Sequence, residues 1–225
     1  MGDLGANALR NCGSIRSITL SDGLTEIGKC AFYNCCNLEA VVIPNSVTKI
    51  GRYAFSHSGL KSITLLDGRL TEIGEYTFYN CRNLESVVIP NSVTKIGLGA
   101  FTDSGLKSIT LLDGRLTEIG DFAFNNCKNL EIVIIPETVT KIGPEAFSWS
   151  GLKSITLPHG LTEIGEKAFY GCNKLETVVI PETVTKIGPL AFAYSGLKSI
   201  TLPHKVEIGK YAFGGRSTLL VKYRN

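Results

Sequence analysis

Apolar and polar positions recur along the chain with a period of 22 to 24 residues. Each period opens with a short alternating run, such as residues 60–65 (LKSITL), which a turn marked by Pro or Asp-Gly follows. A second alternating run comes next, as in residues 70–74 (LTEIG), and then a segment centred on Ala-Phe. Alternation with period two predicts a strand. We therefore expect two short strands and one helical turn in each period.

The periods begin at residues 15, 38, 60, 84, 106, 130, 152, 175 and 197, between a partial coil at 1–14 and a partial last coil at 219–225. Two kinds alternate. Glu-type coils carry an acidic second residue, as at Glu39, and Lys-type coils carry a basic one, as at Lys61. The duplicated unit is a pair of coils, since 33 of 46 aligned positions are identical between residues 60–105 and 106–151. No linker interrupts this order, so the sequence predicts one domain over residues 1–225.

Internal repetition on this scale determines the fold class. No single period can bury its apolar face alone, but stacked coils can, and a 20–29-residue period built on spaced leucines is the leucine-rich-repeat signature. We predict a leucine-rich-repeat solenoid (an α/β repeat) of about ten coils. A parallel β-sheet should form its concave face, and short extended segments with short helical turns the other. Stacked strands bring like residues within about 4.8 Å, which predicts a phenylalanine ladder at positions 32, 55, 78, 101, 124, 147, 169, 192 and 213.

Charge follows the same alternation. The second strand residue is basic and acidic by turns, as at Glu85 and Lys107, and the second extended run carries the opposite phase, as at Lys95 and Glu118. In a stack each of these charges should lie between two opposite charges, whereas a uniform column would set like charges directly opposite one another. The interpretation we favour is a solvated structural ladder that fixes the register of the coils.

Composition narrows the function classes. The net charge is +3 from 23 basic and 20 acidic residues without a basic block, which favours neither nucleic acid nor an anionic membrane surface. Apolar runs are short, so no transmembrane helix is predicted. Residues 1–4 (MGDL) lack the features of a signal peptide.

Five of the seven cysteines share one position of the repeat, and we expect them to be buried and reduced: Cys12, Cys35, Cys81, Cys127 and Cys172. The last four recur every second coil, about 9–10 Å apart by strand spacing, whereas a disulfide needs Cα atoms within about 7 Å. Cys30 and Cys36 lie outside this column and are the expected exposed thiols. No four-ligand cluster suggests zinc.

No constellation for catalysis, a metal or a cofactor emerges from the sequence. His159 and His204 recur two coils apart in the same turn, and His57 lies elsewhere. The acidic residues follow the ladders, with no isolated carboxylate pair of the glycosidase kind. We therefore expect no enzyme and no cofactor.

Two surfaces are candidates for contact with a partner. Outward strand positions form a small, regular face that includes Thr64, Thr110 and Thr156. Differences between the repeats gather instead around the Ala-Phe segment, where Trp149, Tyr194 and His57 occupy equivalent positions two residues past the ladder phenylalanine. Exposed aromatic side chains often anchor protein contacts. Simple strand propensity and unconstrained drift are the alternative explanations for the two patterns.

The repeat pattern L-x-x-V/I-x-I/L-P-x-x-L/V-T-x-I-G-x-x-A-F-x-x-C/S resembles the BspA-like, or Treponema pallidum-type, leucine-rich-repeat family over essentially the whole chain. The resemblance implies a cell-surface or secreted protein of host-associated bacteria or parasitic protists, whose members are thought to adhere to host matrix proteins or to other cells. It also implies a secretion signal and further domains, which this sequence does not display.

The leading hypothesis is a non-catalytic protein-binding module of the adhesin type. The alternative is a purely structural spacer, or a fragment of a longer array, without a binding site of its own. The sequence opens inside a coil, since residues 4–9 align with 27–32, and residues 219–223 (LLVKY) open a further strand. Neither end carries a distinct cap, which predicts one of two things: the chain is a fragment of a longer array, or its ends associate with one another.

Overall fold

The computed structural model describes residues 2–215 and 218–223. Met1, Arg216, Ser217, Arg224 and Asn225 lie outside the described residues, and with them parts of the predicted domain 1–225 and of the partial coil 219–225. The described chain forms twenty short strands, all of whose pairings are parallel, which confirms the predicted solenoid of about ten stacked coils.

One side of the stack is built from the first strand of each coil. These strands form a seven-stranded sheet (β2 to β14) and a three-stranded sheet (β16 to β20). Side chains alternate between exposed and buried along most of them, as the period-two pattern requires. The even-numbered strands are β2 Ser17–Ile18, β4 Ala40–Ile43, β6 Ser62–Leu65, β8 Ser86–Ile89, β10 Ser108–Leu111, β12 Ile132–Ile134, β14 Ser154–Thr156, β16 Thr177–Val179, β18 Ser199–Leu202 and β20 Leu220–Tyr223.

The second run of each coil forms a shorter strand on another side of the stack. These strands make a three-stranded sheet (β1, β3, β5) and a seven-stranded sheet (β7 to β19). The odd-numbered strands are β1 Gly2–Leu4, β3 Leu24–Ile27, β5 Lys49–Ile50, β7 Glu72–Ile73, β9 Lys95–Ile96, β11 Glu118–Ile119, β13 Lys141–Ile142, β15 Glu163–Ile164, β17 Lys186–Ile187 and β19 Glu207–Ile208.

The phenylalanine ladder fills the space between these sheets. Neighbouring rings stack with centroids 4.9–5.8 Å apart and planes within 17° of parallel. Rings from Phe32 to Phe192 are almost completely buried. Leucine, isoleucine and valine from both strands surround them in one continuous core. Repetition of one coil therefore supplies one core along the whole stack.

The Ala-Phe segment, where a helical turn was expected, holds no helix anywhere in residues 2–215 and 218–223. It consists of consecutive turns, in which the residues two before and two after the ladder position adopt positive φ. Amide groups alternate in direction. Those of Cys30, Phe32 and Asn34 donate to carbonyls of the following coil at 2.7–3.0 Å, and the amides between them close local turns. A helix would direct these donors along its own axis, so inter-coil bonding replaces it.

In the first sheets, pairing is extensive from each Glu-type strand to the Lys-type strand that follows it, a pair of coils that we call a unit, and it is weak at three of the junctions between units. The Glu-type strand pairs with the following Lys-type strand over three or four residues, as in β4–β6 and β16–β18. Between units, β6–β8 and β10–β12 share one residue pair each, and in the described chain no ladder pairing joins β14 to β16. We call these three junctions seams. The junctions nearest the ends are paired more fully, over two residues in β2–β4 and four in β18–β20, so the seams belong to the middle of the stack.

The end coils follow the register of their neighbours. Leu4 pairs with Ile27, which places β1 in the second run of an incomplete coil as the alignment predicted. In β20, Lys222 pairs with Thr201, so the lysine takes an outward position. Val221 and Tyr223 then take the inward ones, although both stay exposed.

Candidate binding surfaces

The outward face of the first sheets is one candidate surface. Thr64, Thr110 and Thr156 all lie on it, and all three are exposed. Aliphatic residues occupy the same position in the intervening coils and are also half exposed or more: Val42 51%, Val88 51%, Ile134 66% and Val179 52%. This face offers a regular lattice of small side chains, with no aromatic or arginine anchor among its outward strand positions 62–64, 86–88, 108–110, 132–134 and 154–156.

The other candidate surface follows the turn segments and carries the aromatic residues. Trp149 and Tyr194, both more than half exposed, are joined by a residue that the sequence left out of its candidate site. The Tyr170 ring lies between them, 5.4 Å from Trp149 and 5.3 Å from Tyr194 in edge-to-face contacts. We call these three residues the aromatic edge. Their alternation between one and two residues past the ladder phenylalanine was visible in the sequence and was the signal for Tyr170.

His57 belongs to a second cluster, in the N-terminal coils. Its ring lies 5.4 Å from Tyr33 and 5.3 Å from Tyr79. A parallel row stacks Tyr53 on Tyr76 at 5.0 Å. The structure therefore divides the three aromatic candidates between two sites, and it leaves the threonine candidates on a separate face.

The exposed aromatic residues share the backbone conformation of their equivalents but differ from them in residue type. The position two past the ladder has positive φ in all ten coils. It is filled by Asn11, Asn34, Asn80, Asp103, Asn126, Gly171 and Gly215 in seven of them. Asn, Asp and Gly tolerate this region best. Trp149 (φ 59°) and Tyr194 (φ 55°) do not share that tolerance. Strain of about 1–2 kcal/mol per residue at such a position is a known mark of functional sites.

Two series of alternating lysine and glutamate residues run along the stack, one beside the first strands and one in the second strands, and neither gathers its charges at one place. Each lysine of the first series contacts the glutamate of its own unit, as in Lys107–Glu85 at 2.7 Å and Lys153–Glu131 at 2.8 Å. In the second series Glu118 lies between two lysines, Lys95 at 3.5 Å and Lys141 at 3.3 Å, as predicted. A hydrogen bond from Lys153 lowers the pKa of Glu131. Exposed ion pairs of this kind contribute little energy each, and their role here is to fix the register between neighbouring coils rather than to form a reactive site.

The cysteine column is buried over most of its length, and all seven cysteines are free. Burial raises the pKa of Cys81 to about 11 and those of Cys127 and Cys172 to about 12. Each of the three thiols donates to a carbonyl of a preceding coil at 3.1–3.2 Å.

Two of the cysteine predictions were wrong. Cys30 is buried rather than exposed, although it is not part of the continuous core, and Cys12 is only partly buried since it belongs to the first coil. Cys36 is exposed as expected.

The remaining titratable groups form isolated pairs rather than a cluster, as His159 and Glu137 illustrate. His159 is exposed and its backbone amide donates to Glu137 at 2.8 Å, which lowers the pKa of that carboxyl. Across residues 2–215 and 218–223, no three histidine, cysteine or acidic side chains are grouped as metal ligands would be. Nor does that part of the chain contain a helix of the length and apolarity needed to cross a bilayer.

Comparison with known proteins identifies relatives of the fold. The sequence family described as "BspA type Leucine rich repeat region (6 copies)" matches residues 2–115 and 100–220. Among proteins of curated function, none matches the chain.

Solved structures of leucine-rich-repeat proteins resemble the chain over most of its length. One from Bacteroides ovatus is 30% identical with a TM-score of 0.80, over 92% of this chain and 59% of its own. One from Eubacterium ventriosum is 24% identical with a TM-score of 0.56, over 87% of this chain and 72% of its own. The pneumococcal vaccine antigen PcpA is 24% identical with a TM-score of 0.57, over 95% of this chain and 67% of its own. The chain thus spans about three fifths of the Bacteroides protein.

Proposed function

Because the chain belongs to the BspA-type leucine-rich-repeat family, we propose that it is a non-catalytic protein-binding module of the adhesin type, located at the cell surface or secreted. Its partner is a protein ligand, a host matrix or cell-surface protein. The family resemblance supports the class of partner, and the description of the pneumococcal neighbour as a vaccine antigen is compatible with the location.

The observation that carries this proposal is the aromatic edge. Trp149 and Tyr194 expose 51% and 55% of their surface at positions where seven other coils place Asn, Asp or Gly and one places His57. An exposed tryptophan at positive φ lowers stability without completing the core, since its equivalents are small and polar. Tryptophan and tyrosine are the residues most enriched among the energetic anchors of protein interfaces. The edge therefore fits a role in contact better than a role in folding.

The test is a binding screen of the chain against matrix and cell-surface proteins, followed by variants. Trp149→Asn introduces the residue found in several equivalent coils and removes the aromatic anchor. We expect it to lower the affinity for a protein found in the screen about tenfold or more, because loss of an interface anchor costs about 2 kcal/mol. Tyr211→Ala is the control, because Tyr211 is an aromatic residue of even greater exposure (66%) at φ 57° but precedes the ladder position. Thr110→Lys probes the outward sheet face.

The outcomes separate the two candidate surfaces from the alternative. Loss of binding in Trp149→Asn alone supports the aromatic edge. Loss in Thr110→Lys alone moves the contact to the sheet face that includes Thr64 and Thr156. A chain that binds none of the screened proteins contradicts the adhesin proposal and favours a structural spacer. The regularity of the sheet face and the near-identity of successive units are the features that support the spacer.

A further inference from the structure

A cleft opens beside the N-terminal coils, between the two rows of tyrosines described above. Tyr33, His57 and Tyr79 form one side, and Lys29 and Tyr53 form the other. Its volume is about 400 Å³, toward the lower end of the range of roughly 300–1,000 Å³ typical of small-molecule sites. Its size suits a ligand of one or two rings rather than an extended chain.

The imidazole of His57 is held in one orientation by a relay of two hydrogen bonds. Arg82 Nε donates to Asn80 Oδ1 at 2.7 Å, which turns the amide nitrogen of Asn80 toward His57 Nδ1, also at 2.7 Å. Arginine Nε has only a proton to offer, so the amide cannot face the other way. Nδ1 then accepts, and the neutral ring carries its proton on Nε2. His57 is a fixed donor on the wall of the cleft.

The mouth of the cleft is cationic. Arg10 and Lys29 line it and no carboxylate does, and in the described part of the chain neither cation forms an ion pair. The Arg10 guanidinium lies 4.8 Å from the centre of the Tyr33 ring, which positions it for a planar acceptor. Charge complementarity calls for an anionic group at this end.

The rest of the lining consists of flat rings and neutral hydrogen-bonding groups. Three tyrosines, His57 and Cys30 line the space. Beneath it lies Ser56, whose buried hydroxyl has no hydrogen-bond partner. The hydroxyl of Ser148, one residue past its ladder phenylalanine as Ser56 is, also has no hydrogen-bond partner. The unpaired hydroxyl is therefore a feature of the repeat and not of this cleft. The rings and charges above Ser56 are what give the cleft its chemistry.

We propose that this cleft binds an acidic sugar, a pyranose that bears a carboxylate. The sugar lies against the edges of the Tyr33 and Tyr53 rings, and its hydroxyls pair with the phenols and His57 Nε2. The faces of these rings are already covered, by Arg10 and His57 on Tyr33 and by Arg52 and Tyr76 on Tyr53. The carboxylate meets Arg10 and Lys29. An acidic peptide side chain would satisfy the two cations and leave the neutral groups of the walls unused. This site is separate from the aromatic edge and does not rest on the protein-binding role proposed for it.

The experiment titrates the chain with glucuronate, with glucose as the neutral counterpart and with acetyl-aspartate amide as the peptide-like acid, and follows cleft resonances by NMR. We expect glucuronate to bind about tenfold more tightly than glucose, since a hydrogen bond to a charged group is worth more than a neutral one. Acetyl-aspartate amide should bind weakly. Equal binding of glucose and glucuronate overturns the assignment of an acidic ligand, and preferential binding of acetyl-aspartate amide overturns that of a sugar.

Variants then locate the binding. Arg10→Gln removes an exposed charge without touching the core and should weaken glucuronate about tenfold. Tyr33→Leu should weaken both sugars. Tyr170→Leu is its matched control, because Tyr170 also lies one residue past the ladder and beside an aromatic ring of a neighbouring coil, at 5.4 Å, but outside this cleft. Unchanged glucuronate affinity in Arg10→Gln, or an equal loss in Tyr33→Leu and Tyr170→Leu, overturns the proposal.

Discussion

Truncation of Phe124 tests how the ladder holds the coils together. The ring is fully buried, 5.4 Å from Phe101 and 5.2 Å from Phe147. Strands on either side of the core fix the coil spacing, so the site cannot collapse around the cavity. Phe124→Ala should therefore cost about 3–5 kcal/mol, a large share of a typical total stability of roughly 5–15 kcal/mol. Phe124→Leu keeps most of the volume and should cost less than about 1.5 kcal/mol.

Phe213 provides the internal comparison, because it is only partly buried and has one described ring neighbour, Phe192 at 5.8 Å. Phe213→Ala should cost about 2 kcal/mol, below the range for a fully buried ring. Urea unfolding followed by circular dichroism and by the fluorescence of the single tryptophan, Trp149, measures both losses. Coincident transitions would justify two-state analysis, which long repeat arrays do not always obey. A loss at Phe124 no larger than that at Phe213 would refute the reasoning.

Three further predictions concern thiols, pH and the seams. Maleimide should label native Cys36 rapidly and Cys81 slowly, since Cys36 is exposed while burial raises the pKa of Cys81 to about 11; similar rates would contradict the buried column. Lys153 lowers the pKa of Glu131 in the folded state. The ion pair therefore stabilises the fold above the pKa of an unfolded glutamate, near 4.5, and this stabilisation is lost as pH falls through the lower pKa of Glu131 in the folded chain. Urea unfolding between pH 7 and 3 should show this loss, and Lys153→Gln should reduce the slope. Amide exchange should be faster in the strand edges that face each other at the β14–β16 seam than in β16–β18; equal protection would remove the distinction between units.

The repeat pattern alone was enough to predict the class of fold, the burial of the ladder phenylalanines and the opposition of charges such as Lys95 and Glu118. The physical reason is that each coil contributes the same few positions. Position in the period therefore determines burial, and stacking brings equivalent residues face to face. The same logic identified Trp149 and Tyr194 as equivalent, and it placed Thr64 on an outward face.

The tertiary structure decided what depends on bonding between coils. The turn at Ala-Phe is not helical, because Cys30, Phe32 and Asn34 direct their amides to the following coil; recurring Asn and Gly two residues past the ladder were the sequence signal for positive φ. The coils group into pairs because some neighbouring strands pair over more residues than others. The order of residues along a single strand does not reveal this difference. Which aromatic residues meet, with Tyr170 between its partners and His57 in a separate cluster, was likewise fixed only once the coils were stacked.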